Sequence, residues 1–311
     1  MIYTVTFNPS LDYVMFVPQL QLGGISRATH ENIYPGGKGI NVAIVLERLG
    51  RPCTALGFIA GHTGKAICSL LQGQLSCVDF VELTNGENRI NVKIKSTVES
   101  DVNGCGPQVP VEKLQELLTK LDHLKTGDIL ILSGAVSPGV TKDVYGQILQ
   151  RLQNRGVLCV VDAVGELLKN ALAYKPFLIK PNVAELADLF HTAIQTEEEI
   201  IAYARQAQAA GAQNVLVSRG AEGALLLAEN GVILRAPAVH LKSPVVNSVG
   251  AGDSMVAGFL AGWLPGHNYQ TALQWAVAAG GACVTKEWLP EKNEILTYIS
   301  PSTQAETEEQ K

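Results

Sequence analysis

Aromatic residues are scarce in this 311-residue chain, at 6%, and charged residues make up only 17%. The six cysteines (53, 68, 77, 105, 159 and 283) are scattered and never form a C-x-x-C pair. A disulfide framework and a zinc site are therefore not expected, and reduced thiols of a cytoplasmic protein are. Positive charge is in deficit: 24 Lys and Arg stand against 29 Asp and Glu, for a net charge of −5. Without a basic cluster, neither nucleic acid nor an anionic membrane surface is an expected partner. Apolar runs are too short or too interrupted by Gly to span a bilayer. The opening Met1-Ile-Tyr-Thr-Val-Thr-Phe7 lacks a basic n-region and reads as a strand, so no signal peptide is expected. There is no internal repeat and no low-complexity linker. Only the tail 301–311, rich in Glu, Gln and Thr, reads as disordered.

Hydrophobic residues form 47% of the chain, enough for one large α/β domain or two smaller ones. The segment Asn247-Ser-Val-Gly-Ala-Gly-Asp-Ser-Met-Val-Ala-Gly-Phe-Leu-Ala-Gly-Trp263 dominates the reading. Gly250, Ala251 and Gly252 permit a tight turn, and Asp253 and Ser254 suit a helix start. The run behind them is apolar on every side, which predicts a buried helix ending before Pro265-Gly266. Free amides at such a helix start make an anion site. A carboxylate beside an anion site suits phosphoryl transfer: the amides hold the moving charge while Asp253 accepts a hydroxyl proton. An ordinary capping Asp after a glycine turn is the competing explanation.

Ile2–Phe7 predicts a first strand, and Asn8-Pro9-Ser10 a turn delivering Asp12 just past its end. Pro35-Gly-Gly-Lys-Gly-Ile-Asn41 opens an apolar helix that stops at Gly50. It is not a phosphate-binding Walker loop, which needs Gly at Asn32 and Ser or Thr at Gly39, and it lacks the G-x-G-x-x-G spacing. Its Lys38 and Asn41 suit a polar-ligand cradle. Residues 88–95 alternate Ile90, Val92 and Ile94 with Asn91, Lys93 and Lys95, a strand with one apolar and one polar face. Together with 11–34 it predicts a small antiparallel sheet acting as a lid, formed by about 11–34 and 88–103, with Arg89 as phosphate clamp. From Val111 onward helices (111–124, 142–154, 196–210) alternate with strands (128–132, 157–161, 177–180, 214–218), and 224–235 reads as a hairpin. That alternation predicts a mostly parallel sheet covered on both faces. The singled-out residues fall mainly at the carboxyl ends of strands, where ligand sites of open α/β sheets gather. Asn182 and Glu185 share one face of a starting helix, either as a cap or with Glu185 near Mg²⁺.

Five blocks then carry a resemblance. Asn8-Pro-Ser-Leu-Asp12, Gly36-Gly-Lys-Gly-Ile-Asn41, Ile179-Lys-Pro-Asn-Val-Ala-Glu185, Ser218-Arg-Gly-Ala-Glu-Gly-Ala224 and Gly250-Ala-Gly-Asp253 occur in the order found in ribokinase-like (PfkB-type) carbohydrate kinases. The chain resembles that family from end to end, tail excluded. It is most similar to the sugar-phosphate branch of 1-phosphofructokinases and tagatose-6-phosphate kinases. The resemblance implies a three-layer ribokinase-like α/β domain over 1–300 with a small β-sheet lid. It implies ATP and Mg²⁺ as cofactors, a small sugar phosphate as substrate (fructose 1-phosphate first), and a homodimer through the lid. Asp253 is implied as the base, with Gly250, Ala251 and Gly252 as the anion-hole turn. Asp12, Arg27, Gly36, Gly37, Lys38, Asn41 and Arg89 are implied on the substrate side, with Lys38 and Arg89 toward its phosphate. Lys180, Asn182, Ser218, Gly220, Ala221, Gly223 and Gly250 are implied on the ATP side, and Glu185 at the metal. Asn88 stands where the family usually has Thr, and Arg219 where Leu is common. The rival expectations are a related kinase of tagatose 6-phosphate or fructose 6-phosphate and, outside enzymes, a sugar-phosphate-binding regulator.

Overall fold

The computed structural model describes residues 1–300 with Thr303 and Gln304. Those two apart, the expected disorder of 301–311 lies outside the described residues. Strands β1 (Ile2–Thr6), β2 (Ser10–Phe16) and β3 (His30–Gly36) lead to α1 (Lys38–Arg48), β4 (Cys53–Ala60) and α2 (Gly61–Leu71). Next come β5 (Cys77–Val78), β6 (Val81–Leu83), β7 (Arg89–Lys95) and β8 (Ser100–Asn103). The chain then alternates through α3 (Val111–Leu121), β9 (Ile129–Ser133), α4 (Val144–Leu152), β10 (Leu158–Asp162), α5 (Gly165–Leu172) and β11 (Leu178–Ile179). Helices α6 (Val183–Leu189) and α7 (Glu197–Ala209) precede β12 (Asn214–Ser218), a 3-10 turn (Gly220–Glu222), β13 (Ala224–Leu227) and β14 (Ile233–Ala236). Helices α8 (Ala251–Trp263), α9 (Tyr269–Val284) and α10 (Lys292–Leu296) follow.

The large sheet runs β14-β13-β12-β11-β10-β9-β1-β4-β5, with β6 also paired to β4. It is parallel from β5 to β12, and the β13–β14 hairpin closes it antiparallel. All five residues of β9 are buried, as a parallel strand covered on both faces requires. One apolar cluster packs that sheet against α1, α8 and α9. The other lies under α3, α4, α5 and α7. The all-apolar segment after Gly250 is indeed a buried helix, with every residue from Asp253 to Trp263 buried. No helix among the described residues is long and apolar enough to cross a membrane.

The second sheet has the order β3-β2-β7-β8, with β2 parallel to β7 and the other pairs antiparallel. Its register sets Leu11, Tyr13, Ile33, Ile90 and Val92 on one face and Ser10, Asp12, Arg89, Asn91 and Lys93 on the other. Burial reverses the usual order. Asn91 and Lys93 are 6% and 8% exposed, whereas Ile90 and Ile33 are 44% and 42% exposed. The polar face turns toward the strand ends of the large sheet, and the apolar face is open at Ile33 and Ile90 while Leu11 at its start joins the core.

Several expectations needed correction. Asp12 sits inside β2, because pairing with β3 and β7 begins already at Ser10. Helix α5 and the short edge strands β5 and β6 were not foreseen. The two strands span only 2 and 3 residues, too few to show a period, whereas α5 does carry a helical stripe in Leu167, Leu168, Ala171 and Leu172. The strand expected over 177–180 shrinks to Leu178–Ile179, since Pro181 cannot continue the ladder.

Helices α8 and α9 meet through small residues, and Gly258 is the tightest point. A Cβ there would stand 2.4 Å from the Trp275 carbonyl oxygen and 2.8 Å from the Ala279 Cβ. Backbone cannot yield as a side chain does, so Gly258→Ala is expected to cost about 1–3 kcal/mol. Urea unfolding should show a lowered midpoint at unchanged slope. An unaltered midpoint would mean that the two helices separate freely.

Candidate active site

The site is built on the first turn of α8. Gly250 is the residue preceding the helix, with φ 83°, a left-handed conformation that glycine adopts without steric cost. No side chain caps the helix, and Asp253 is its third residue, so the capping explanation for Asp253 fails. Its carboxylate is 5% exposed and accepts from Asn41 Nδ2 at 2.8 Å. Of the amides in the first turn, that of Ala251 turns back to the Ser248 carbonyl at 3.3 Å. Those of Gly252 and Asp253 have no carbonyl partner among the described residues.

A residue whose role the sequence did not reveal lies beside this turn. Asp162 ends β10, is 2% exposed, and pairs with Lys38 Nζ and Lys180 Nζ, each at 3.4 Å. Burial alone would raise its pKa, but Lys180 and Lys38 outweigh burial and hold the carboxylate below its usual range. Lys38 is likewise penalised by burial, yet Asp162, Asp253 and Glu185 raise its pKa. Asp253 goes the other way. Burial, reinforced by the nearby Asp162 charge, pushes it up to about 6 against the pull of Lys38, Asn41 and Lys180. The only sequence signal for Asp162 was a charged residue closing a buried strand.

The substrate-side residues divide into groups. On the polar face of the small sheet, Asp12 Oδ1 accepts from Ser10 Oγ at 2.7 Å and Asn91 Nδ2 at 2.8 Å. Gly36 lies against this carboxylate, and a Cβ there would come within 2.5 Å of Oδ1. Arg89 donates from Nε to the Asn8 carbonyl at 3.1 Å and from Nη1 to Asn91 Oδ1 at 3.4 Å. Asn88 is 2% exposed; it accepts from the Ala60 amide at 2.7 Å and donates to the Phe58 carbonyl at 3.1 Å. It ties the start of β7 to the end of β4 and so fixes where Arg89 begins. Gly37 precedes α1 and orients its first turn, which carries Lys38 and Asn41. Lys38, expected near the substrate's phosphate with Arg89, instead reaches the Asp162–Asp253 end. Arg27 is exposed in the 17–29 loop and makes no hydrogen bond or ion pair among the described residues, so the structure does not bring it into the cluster. Buried oxygens of Asn8, Asn41 and Ser133, at or beside the carboxyl ends of β1 and β9, lack partners. Groups left that way await a ligand or water.

On the other side of the α8 turn, a cavity of about 400 Å³ is lined by Ser218, Gly220, Ala221 and Gly223 together with Val239, Leu241, Val277 and Gly280. It also touches Ala251 and Gly252, and Lys180 Nζ lies 3.0 Å from where a Gly252 Cβ would be. Val239 and Leu241 come from an irregular segment with no periodic signal, and the sequence reading missed them. Asn182 lines an adjoining depression with Arg219 and Gly220 rather than this cavity. Asn182 and Glu185 cap each other: the Glu185 amide donates to Asn182 Oδ1 at 2.8 Å, and the Asn182 amide to Glu185 Oε2 at 2.9 Å. Glu185 Oε1 has no hydrogen bond among the described residues. They contain no cluster of three or more acidic, His or Cys side chains able to cage a metal. One free carboxylate oxygen suits a hard ion that arrives with its own phosphate and water ligands.

The profile of the pfkB family of carbohydrate kinases matches residues 5–293. The 1-phosphofructokinase of Bacillus subtilis is 40% identical over 93% of this chain and 94% of its own length. The D-tagatose-1-phosphate kinase of Bacillus licheniformis is 36% identical over 95% and 96%. The crystal structure of phosphofructokinase-2 from Escherichia coli with substrates and products superposes with a TM-score of 0.90 at 29% identity, over 96% of this chain and 97% of that one.

A reaction that needs the Asp253 carboxylate ionised is blocked by protonation. With Asp253 at about 6, kcat/KM should fall as the pH drops below about 6, approaching tenfold per unit. Asp162→Asn removes a like charge and leaves Lys38 and Lys180 acting on Asp253 alone, so its pKa falls and the acid limb moves to lower pH. A pH–rate profile of both proteins checks this; a limb that stays in place would contradict the coupling.

Proposed function

The chain belongs to the pfkB family of carbohydrate kinases, a sugar kinase with a ribokinase-like fold, and from that premise we propose that it transfers the γ-phosphoryl group of ATP to the 6-hydroxyl of fructose 1-phosphate, giving fructose 1,6-bisphosphate. The pairing of Asp253 with two unpartnered amides at the start of α8 carries this reading. Asp253 takes the hydroxyl proton. A carboxylate at about 6 is still far weaker than an alkoxide, so the proton moves late, as the bond to phosphorus forms. The Gly252 and Asp253 amides, with Lys38 and Lys180, hold the charge of the moving group. Asn41 fixes the Asp253 carboxylate with its amide nitrogen and leaves Oδ1 for a sugar hydroxyl. Asp12, held by Ser10 and Asn91, takes the other hydroxyls, with Gly36 and Gly37 allowing close approach. Arg89 Nη2, which no described residue occupies, faces the phosphate already on the sugar. The apolar cavity takes the adenine, and Ser218, Gly220 and Gly223 lie along the nucleotide. Glu185 would hold Mg²⁺ through water, and the ion supplies charge neutralisation on the ATP phosphates.

Fructose 1-phosphate and tagatose 1-phosphate both carry a C1 phosphate and a C6 hydroxyl and differ only at C4. The tagatose relative adds a 1-phosphate rival, and an ATP-dependent 6-phosphofructokinase of Escherichia coli, 32% identical, keeps the fructose 6-phosphate rival beside it. We place the enzyme in the cytoplasm, where ATP and reduced thiols occur together; its six cysteines are all free. The open apolar face of the small sheet, with Ile33 and Ile90, is best covered by the same face of a second copy in a homodimer.

Asp253→Asn is expected to lower kcat by roughly 10²–10⁴ with KM for both substrates little changed. A fully active Asn variant would refute the base. Across fructose 1-phosphate, tagatose 1-phosphate, fructose 6-phosphate and tagatose 6-phosphate, kcat/KM should be highest for the first. Turnover on none of them would revive a regulatory role. Light scattering should give twice the chain mass, and Ile90→Asp should return it toward one.

A further inference from the structure

The loop Arg219–Gly223 forms one wall of the apolar cavity, yet Arg219 itself lines the adjoining depression. Its backbone closes the loop at both ends. The Arg219 amide donates to the Gly223 carbonyl at 2.8 Å, and the Glu222 amide donates to the Arg219 carbonyl at 3.1 Å. Its side chain is 14% exposed and runs into a chain of four alternating charges. Arg219 Nη1 donates to Glu197 Oε2 at 2.6 Å, and Nη2 donates to Glu222. Glu197 accepts with its other oxygen from Arg235 Nε at 2.6 Å. Nε of Arg219 is buried without a partner, so its two terminal nitrogens alone anchor the guanidinium. Burial opposes its charge, but Glu222 and Glu197 outweigh burial and keep the group firmly protonated. The cluster links the first residue of α7, the 3-10 turn and β14 to the residue that follows β12.

We infer that Arg219 is a positioning residue for the nucleotide, holding the Gly220–Gly223 wall in the shape that receives ATP. This deepens the reading of the cavity as the nucleotide site and rests on it. A Leu here could fill space but could not fork between two carboxylates on different elements. The wall's two glycines, Gly220 (φ 57°) and Gly223 (φ 85°), add little rigidity of their own, so an outside brace has something to do.

The test is steady-state kinetics on the full chain. Arg219→Met should raise KM for ATP about tenfold, the scale of one lost charge-assisted contact, with kcat and the sugar-phosphate KM nearly unchanged. Arg219→Lys, which keeps the charge but not the fork, should fall between the two. Glu197→Gln should raise KM for ATP as well, and the double variant should be no worse than the poorer single one. An unchanged KM for ATP in Arg219→Met, or a parallel loss of kcat and both KM values, would overturn the role. Ala221→Trp separates the premise from the inference, because it fills the cavity from the same loop. If it leaves KM for ATP unchanged, the nucleotide lies elsewhere. If it raises KM while Arg219→Met does not, only the brace is wrong.

Discussion

The structure depends on one buried charge balance. Asp162 and Asp253 meet Lys38 and Lys180 where β10, the end of β11, α1 and α8 converge, with three of the four groups 5% exposed or less. Such a cluster adds little net stability. Removing one member strands its partners at a cost of about 3–5 kcal/mol. The balance therefore fixes position more than stability. Two carboxylates against two ammonium groups also leave no surplus positive charge. A nucleotide triphosphate entering here must bring a cation with it or rely on the free amides of the α8 turn. On the proposed reading, a single carboxylate such as Glu185 would then be enough on the protein side.

The same cluster sets the two acids apart. Asp162 touches both ammonium groups directly and stays ionised; Asp253 is buried against amides and Asn41 and takes its proton near 6. Environment alone sets the two aspartates apart, and the one pushed up to about 6 is the one beside the unpartnered amides of the α8 turn.

Much of the architecture was legible because it rests on patterns a sequence displays. Buried parallel strands such as Ile129–Ser133 read as apolar runs ended by turn residues, and α8 reads as a helix apolar on all sides. The glycine blocks stood out because backbone must pass close to other groups there, as Gly36 does to Asp12. Asp162, Asn88 and Arg219 were opaque for a shared reason. Each acts through partners far away in the chain, and no local spacing encodes a pairing between residues 162 and 38 or between 219 and 197. Arg27, which only the resemblance implied on the substrate side, is exposed in the 17–29 loop, where no local spacing could have placed it.

The reversed polarity of the small sheet joins these threads. Alternation along Arg89–Lys95 tells that one face is polar and the other apolar, but not which is buried. Ordinarily the apolar face goes inward. Here Ser10, Asp12, Arg89 and Asn91 hydrogen-bond one another on the inward face, Arg89 adds a bond to the Asn8 carbonyl beyond β1, and Ile33 and Ile90 are left outside. A sheet inverted in this way gives up apolar burial within its own chain. It can recover that burial only against another surface, and a twofold partner presenting the same face supplies a match without further design. The polar lining of the proposed sugar site and the exposed Ile33 and Ile90 are then two consequences of one strand's orientation.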